Sequence, residues 1–302
     1  MKRLMATLCL FATLASEIPA QPMITNVEVF APGNHRWGFA KFSPDGKHIL
    51  FSTLGYDGIW EYTPDTKAFR QLTADAGSGY NFSVSADGKS IAYRRTTKGR
   101  TWRDRKQEIV TLNAESGSTK LLGAARSLPT PVFDGNSPAF LQAGAVFNPA
   151  PSKNRVTLLG VAGQKIQLLV GNQHRQLDPL GNGSYIWPAL SPDAKTLLAY
   201  DMDRGAFVSD LNGKVLASLG SLDGPTWTRD GSWVVAFNEV SDGHVVTGSD
   251  LHAVRPDGTG KVQLTSTTDI IELYPSCSPT ENKIVCHTLD GKILLLTYEV
   301  RP

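Results

Sequence analysis

Short runs of alternating hydrophobic and polar residues recur along the chain, each led by a turn-forming phrase. In residues 42–51 a Ser-Pro-Asp-Gly phrase precedes an apolar run, and residues 84–93 repeat the arrangement with Ser-Ala-Asp-Gly. Pro fixes φ while Asp and Gly accept turn geometry, so each phrase predicts a hairpin between two strands. The alternation of the flanking residues places one face of each strand in a core.

Four further copies extend the pattern over the chain: residues 133–140 (a damaged copy), 190–199, 227–236 and 277–286. From Asp45 to Thr280 the six turn markers are spaced by 42, 47, 59, 37 and 50 residues. A second phrase resembling Gln-Leu-Thr, at residues 70–73, 120–123, 176–178 and 263–265, is expected to form the closing strand of its unit. Periods of this length with four strands per unit predict an all-β fold, a six-bladed β-propeller of four-stranded antiparallel sheets.

The two ends of the chain complement each other in this architecture. The sixth unit stops near residue 300, too early to include its own closing strand, whereas residues 27–30 form a strand that precedes the first unit. Pairing of this N-terminal strand with the last blade would close the ring and remove an exposed edge. The sequence therefore predicts a single propeller domain over residues 24–302.

The first twenty residues have the layout of a secretory signal peptide. Lys2 and Arg3 precede an apolar run over residues 4–14, and Ala20 ends a segment suited to cleavage. No segment is long and apolar enough to span a bilayer. We therefore expect residues 1–20 to be removed and the mature protein to be periplasmic or secreted.

Composition adds limits on the partners. The 302 residues include 30 Lys and Arg against 28 Asp and Glu, a net charge of +2, so no strong overall field attracts nucleic acid. Cys277 and Cys286 flank the last turn and, in an oxidising compartment, could form a disulfide across a hairpin. Burial as two small apolar side chains is the equally weighted alternative.

The Ser-Pro-Asp-Gly-Lys and Gln-Leu-Thr phrases resemble the Pro-Asp β-propeller repeat of the TolB family. The resemblance covers residues 34–300, nearly all of the mature chain, and its motifs are specific for the fold rather than for a function. TolB itself carries an additional N-terminal α/β domain, which we do not expect here because few residues separate the predicted cleavage site from the first repeat. Partner contacts of that domain are therefore not transferred to this chain.

Two groups of residues are candidates for a recognition surface. Aromatic and polar residues precede several of the turns, where a propeller's innermost strands meet at one mouth of the channel: Trp37, Tyr80, Asn81, Tyr185, Trp187 and Tyr274. Packing between blades is the alternative role for each ring. The second group lies in residues 94–106, which hold seven cations and one acid, and includes Arg100, Trp102, Arg103 and Arg105. This loop could bind an anionic glycan or an acidic partner, or could be merely solvated.

Catalytic signatures are missing from the sequence. It has no Gly-x-Ser-x-Gly elbow, no His-Glu-x-x-His motif and no phosphate-binding loop, and no cofactor or metal is predicted. The sequence therefore favours an exported, non-enzymatic module that binds a protein or a cell-envelope glycan through one propeller face. The alternative is a propeller lyase or hydrolase of an anionic polysaccharide, in which His35, His244 and His287 would converge on a metal.

Overall fold

The computed structural model describes residues 20–97 and 104–301, and the regular elements of that part are β-strands. The strands form seven sheets within those residues, arranged as the blades of a β-propeller. Residues 1–19, 98–103 and 302 lie outside the described part, so the predicted signal peptide does too, apart from Ala20. No helix of the described residues has the length and apolar character needed to cross a membrane.

Blades 1 to 4 follow one another along residues 37–177. Blade 1 contains β2 (Trp37–Phe42), β3 (Ile49–Thr53), β4 (Ile59–Thr63) and β5 (Ala68–Thr73). Blade 2 contains β6 (Ser83–Val84), β7 (Ser90–Thr97), β8 (Lys106–Asn113) and β9 (Thr119–Ala125). Blade 3 contains β10 (Val132–Asp134), β11 (Ser137–Gln142) and β12 (Ala145–Phe147), and blade 4 contains β13 (Val156–Ala162), β14 (Lys165–Val170) and β15 (Gln173–Leu177).

Blades 5 to 7 complete the ring. Blade 5 contains β16 (Tyr185–Leu190), β17 (Thr196–Asp201), β18 (Gly205–Asp210) and β19 (Val215–Gly220). Blade 6 contains β20 (Asp223–Trp227), β21 (Val234–Ser241), β22 (Val246–Val254) and β23 (Val262–Gln263). Blade 7 contains β24 (Glu272–Cys277), β25 (Lys283–Thr288), β26 (Ile293–Arg301) and the N-terminal strand β1 (Gln21–Phe30). The first strands of neighbouring blades lie side by side around the central axis.

The predicted number of six blades is wrong, and the described residues contain seven. The error lies in the 59-residue interval between Asp134 and Asp193, which was assigned to one irregular unit. This interval contains the end of blade 3 and all of blade 4. Blade 4 turns from its first to its second strand through Gly163-Gln164 instead of a Pro-Asp-Gly phrase, and both blades have three strands rather than four. Blade 4 lacks the turn phrase and both blades are short, so the spacing of the turn phrases does not reveal the extra blade.

The predicted closure of the ring by the N-terminal strand is confirmed. Strand β1 pairs antiparallel with β26, so that Val27 lies opposite Leu296 and Phe30 opposite Ile293. The closing interface continues into a core cluster in which Trp37 and Phe51 of blade 1 pack with Ile293 and neighbouring residues of blade 7. Ring closure and the burial of this cluster therefore depend on the same pairing.

The turn phrase is held by a small hydrogen-bond network. In blade 1 the Ser43 hydroxyl donates to Asp45 Oδ1 at 2.5 Å and accepts from the backbone N–H of His48 at 3.0 Å. Asp45 Oδ1 also accepts from the Lys47 N–H at 3.1 Å, which closes the turn. Gly46 has φ +73°, and a Cβ added there would lie 2.0 Å from Thr280 Oγ1, so this position requires glycine. Ser85, Ser191 and Thr228 make the equivalent bond to the aspartate two residues later.

Replacement of Ser43 by Ala should destabilise blade 1. The change leaves the half-buried His48 N–H without its acceptor and removes one of the two donors to Asp45 Oδ1, which should lower the free energy of unfolding by about 1–2 kcal/mol. Ser43→Thr is the matched control, because Thr228 fills the same role in blade 6. Urea unfolding of the three proteins measures the effect, and equal midpoints for the Ala and Thr variants would contradict this role of the hydroxyl.

A buried carboxyl group lies at the beginning of β24. Glu272 is 1% exposed, and both of its oxygens lie 3.2–3.3 Å from the Thr267 hydroxyl oxygen, which also lies 2.8 Å from the Ile270 carbonyl oxygen. Burial, assisted by the charge of nearby Asp250, raises the pKa of Glu272 to about 7. The folded protein therefore retains a proton at this site that the unfolded chain loses near its ordinary value of 4.5.

Stability should consequently fall at Glu272 as pH rises from about 4.5 to 7, because the unfolded chain binds fewer protons than the folded one in that window. Glu272→Gln keeps an oxygen for the Thr267 hydroxyl and removes the titration. The difference in unfolding free energy between variant and wild type should grow in favour of the variant by about 1–3 kcal/mol from pH 4.5 to 7.5. Unfolding curves across this range test it, and a constant difference would show that the carboxyl group titrates normally.

Candidate functional site

A cavity of ≈ 360 Å³ opens where the inner strands of several blades meet. Blade 1 contributes Phe39, Ala40, Lys41 and Tyr56, blade 2 the segment 79–81, blade 5 Trp187, and blade 7 the segment 274–276. These blades lie on different sides of the ring, so the cavity occupies the mouth of the central channel. We call it the axial cup and define its wall by Phe39, Lys41, Tyr56, Tyr80, Asn81, Trp187 and Tyr274.

The wall is formed by a backbone feature that recurs from blade to blade. Phe39, Asn81, Trp187 and Tyr274 have φ between 48° and 56°, the left-handed region that bulky residues rarely adopt. Each lies four residues before the Ser of its turn phrase, and Phe39, Trp187 and Tyr274 interrupt the register of their strand pairs. Such bulges redirect a side chain, here toward the axis. Strained backbone of this kind costs on the order of 1–3 kcal/mol per residue and is concentrated at functional sites.

Blade 6 has the same bulge with glycine in place of a ring. Gly224 has φ +53° and lies four residues before Thr228. A Cβ at Gly224 would lie 2.7 Å from Phe237 Cε1 and 3.5 Å from Tyr274 Cδ1. The aromatic side chains of the neighbouring positions therefore occupy the space that a side chain from blade 6 would need.

Ring contacts fix the aromatic side chains of the cup. Phe39 stacks on Tyr56 with 4.4 Å between ring centroids and an interplanar angle of 23°. Tyr274 stacks on His287 at 5.5 Å and 3°, and meets Trp187 edge to face at 5.9 Å. One face each of Phe39, Tyr56 and Tyr274 is thus covered by another ring, which holds these side chains in place before any ligand binds.

His287 supports the cup from below. It is 2% exposed, and its Nδ1 accepts a hydrogen bond from the Phe39 N–H at 3.2 Å, which assigns the ring proton to Nε2. Burial lowers the pKa of His287 to about 4, so the ring is neutral under ordinary conditions. His287 therefore acts here as a hydrogen-bond acceptor and stacking partner that positions Phe39 and Tyr274.

Lys41 brings a positive charge to the cup. Its Nζ donates to the Phe82 carbonyl oxygen and lies 3.9 Å from the centroid of the Phe82 ring. Burial lowers the pKa of Lys41 to about 8, so that at neutral pH the protonated form still predominates. None of the ion pairs among the described residues includes Lys41.

Four of the six mouth residues proposed from the sequence come together in the cup, namely Tyr80, Asn81, Trp187 and Tyr274. Trp37 and Tyr185 do not reach it. Trp37 is fully buried between blades 1 and 7 and donates from Nε1 to the Pro32 carbonyl at 2.9 Å. The Tyr185 hydroxyl donates to Asp178 Oδ1 at 2.6 Å within the core between blades 4 and 5.

Sequence reasoning missed Phe39, Lys41 and Tyr56, and named His287 only as a possible metal ligand rather than as a support of the cup. For Phe39 the sequence contains a signal, which is its position four residues before the turn Ser. The equivalent positions, four residues before the turn Ser or Thr in the other four of these five blades, are Asn81, Trp187, Gly224 and Tyr274. Proline follows this position in blades 5 to 7. Lys41 and His287 offered no such signal, since their placement depends on strands of two different blades.

The basic segment is only partly described. Arg100, Trp102 and Arg103 lie outside the described residues, and Arg105 is exposed at its edge, in a depression shared with Lys106 and Arg126. Two other cations of the segment are engaged within the fold. Arg94 donates to the Leu128 carbonyl at 2.6 Å, and Arg95 bridges two carboxylates.

The remaining sequence candidates are separate from the cup. His35 packs against Trp37 and Trp60, away from His287, and the described residues hold no group of three His, Cys, Asp or Glu arranged for a metal. Cys277 and Cys286 are free thiols in the same cluster between blades 6 and 7. Cys277 lies opposite Ile284, so Cys286 is its diagonal neighbour, and such Cβ atoms are typically about 7 Å apart, against about 4 Å in a disulfide. The disulfide stays a prediction.

Comparison with solved structures shows the propeller fold. The β-propeller domain of Cps50 (Swd1) from Myceliophteria thermophila has a TM-score of 0.61 and 10% identity, covering 89% of this chain and 98% of that one. TolB from Acinetobacter baumannii has a TM-score of 0.55 and 16% identity, covering 82% of this chain and 58% of TolB. An oligogalacturonate lyase from Vibrio parahaemolyticus has a TM-score of 0.51 and 11% identity, covering 92% and 98%.

These similarities show the fold alone, because the sequence identities are low. No protein-family model and no curated protein sequence matches the chain. The resemblance to the TolB repeat therefore holds at the level of the propeller.

The neutral state of His287 predicts a pH dependence opposite to that of Glu272. Between pH 6.5 and about 4 the unfolded chain binds a proton at this position while the folded protein does not, so stability falls as pH is lowered through that window. His287→Asn keeps an acceptor for the Phe39 N–H and removes the titration. Relative to wild type, the variant should gain about 1–3 kcal/mol between pH 7 and pH 4.

Chemical unfolding at several pH values measures this gain, and His244→Asn, in the exposed turn between β21 and β22 of blade 6, is the control. A His287→Asn profile parallel to that of wild type would contradict a neutral, buried imidazole.

Proposed function

We propose that this chain is an exported binding module that recognises a protein segment or a cell-envelope glycan in the axial cup. The supporting observation is that four blades direct a strained, mostly aromatic residue toward one cavity at the channel mouth. Backbone strain at four equivalent positions is a stability cost that packing alone does not require, whereas a preformed ligand site accounts for it.

The polar groups of the cup are suited to binding a ligand. Tyr80 is 40% exposed, and Asn81 beside it is exposed as well, so both can reach a ligand from the channel. Tyrosine and tryptophan provide a large apolar area together with a polar tip, and are enriched where proteins bind partners. Tyr80 is held by an edge-to-face contact with Tyr56 and by the Arg94 guanidinium, 5.2 Å from its ring.

Export is part of this proposal and is supported by the charged and apolar pattern of the first twenty residues. Strand β1 begins at Gln21, directly after the proposed cleavage position, so that cleavage would leave the closing strand complete. N-terminal sequencing of the protein recovered from the cell envelope or the medium tests this part.

A lyase or hydrolase acting on an anionic polysaccharide is the second candidate. It is favoured by Lys41, because an amine with a pKa lowered to about 8 in a cavity is a suitable base for removing a proton next to a carboxylate. Oligogalacturonate lyases are among the structural neighbours. Incubation with polygalacturonate, with and without added Mn²⁺, while the ultraviolet absorbance of an unsaturated product is followed, separates turnover from binding.

The binding proposal predicts that loss of Tyr80 weakens ligand binding. Glycan and peptide arrays probed with labelled protein should give signals that fall about tenfold in Tyr80→Ala, since the ring supplies contact area at the centre of the site. Leu121→Ala is the matched control, because Leu121 is also exposed (54%) but lies on the outermost strand of blade 2. Equal signals from wild type and both variants would place recognition outside the cup.

A further inference from the structure

We propose that Lys41 binds a carboxylate of the ligand, so that the cup receives an extended peptide segment through its C-terminal carboxylate or an Asp or Glu side chain. This inference rests on the proposed binding function of the cup and adds the chemical class of the ligand. The geometry that carries it is a cationic side chain in the cup wall that lacks an acidic partner.

The hydrogen-bonding capacity of Lys41 is largely unused. An ammonium group has three N–H donors, and the contacts within the described residues are one carbonyl oxygen and the face of one ring, both belonging to Phe82. A buried charge is costly unless an opposite charge or several hydrogen bonds compensate it. A ligand carboxylate would supply two acceptor oxygens and the missing negative charge.

Two other cations of this chain, half-buried Arg95 and exposed Arg155, have acidic partners. Arg95 bonds to Asp75 at 3.1 Å and to Glu108 at 2.8 Å, and Arg155 lies 3.7 Å from buried Asp134. Half-buried Arg94 has no acidic partner either, and contacts the Leu128 carbonyl and the Tyr80 ring. Lys41 shares this lack of an acidic partner and lies in the wall of the cup, where a ligand would enter.

The acidic groups near the cup lie on its other side. Asp223 belongs to blade 6 and Glu239 to the next strand of the same blade, and both charges help to raise the pKa of the Tyr274 hydroxyl, behind the larger effect of burial. Neither forms an ion pair with Lys41. The cup is thus positive toward blades 1 and 2 and negative toward blade 6, which orients a carboxylate toward Lys41.

The ring geometry favours a peptide over a sugar as the carrier of that carboxylate. A pyranose ring stacks on the open face of an aromatic side chain, and Phe39, Tyr56 and Tyr274 each have one face covered by another ring, while the Arg94 guanidinium lies 5.2 Å from the Tyr80 ring. An extended peptide needs no ring face. It needs hydrogen-bonding groups along the channel, and the hydroxyls of Tyr56, Tyr80 and Tyr274 have no hydrogen-bond partner in the described part of the chain.

The test uses matched soluble probes that differ in one charge, with binding measured by calorimetry. The first pair is a pool of acetylated tetrapeptides with a free C-terminal acid against the same pool amidated. The second pair is amidated peptides carrying Asp or Glu against those carrying Asn or Gln. The third pair is galacturonate against galactose. At least one peptide acid should bind about tenfold more tightly than its neutral counterpart, and the pair that responds identifies the source of the carboxylate.

Lys41→Met should abolish this preference, whereas Lys41→Arg should retain it and Lys214→Met, at an exposed turn, should leave it unchanged. If Lys41→Met does not fold, two other results test the role of Lys41. The acid preference of wild type should be retained in Lys41→Arg and should be lost in wild type at pH values that neutralise lysine. Equal binding of acid and neutral peptides, with both lost in Tyr80→Ala, would overturn the role of Lys41 but keep the cup as the site. Binding of galacturonate alone, or of no probe, would overturn the inference in favour of a different ligand class.

Discussion

Pairing of β1 with β26 is the interaction on which the rest of the structure depends. A propeller blade buries each face against a neighbour, so an open ring would expose two apolar faces at once. Here the N-terminal strand completes blade 7, and Phe30 at its end packs onto the cluster around Trp37 that joins the last blade to the first. The same closure sets the spacing of the inner strands, and with it the distance between Phe39 of blade 1 and Tyr274 of blade 7.

The cup shows how a repeating scaffold becomes specific. The Ser-x-Asp turn is kept in most blades because it satisfies the backbone locally, whatever the rest of the blade does. Four residues earlier, the bulge sets the direction in which a side chain points but does not require a particular residue type. The five blades have Phe, Asn, Trp, Gly and Tyr at this position. Variation at one backbone position thus gives a cavity whose wall differs around the ring, while the strain is carried by strands that are paired on their other side.

The sequence was informative where the physics is local. Turn phrases and alternation identified the propeller, and the unpaired strand at residues 27–30 identified the closure, since both follow from neighbouring residues. The seventh blade was missed because blade 4 uses Gly163-Gln164 at its first turn, which carries no repeat marker. Trp37 and Tyr185 precede turns as Trp187 and Tyr274 do, but they lie outside the bulge position that directs Trp187 and Tyr274 to the axis. Lys41 and the packing role of His287 could not be predicted, because the contacts that define them come from other blades.

The charge of Lys41 links folding to recognition. In the free protein its ammonium group is held by a carbonyl oxygen and a ring, which offset only part of the lost hydration, so this side chain lowers the stability of blade 1. A ligand carboxylate would compensate the lost hydration of Lys41 in the folded state alone. The free energy of binding would then be added to the free energy of unfolding. A neutral ligand of the same shape would leave the deficit in place. Selectivity for an acid therefore arises from the missing acidic partner of Lys41 in the free protein as well as from the carboxylate of the ligand. A lysine on the surface would not give this selectivity, because water already hydrates its ammonium group.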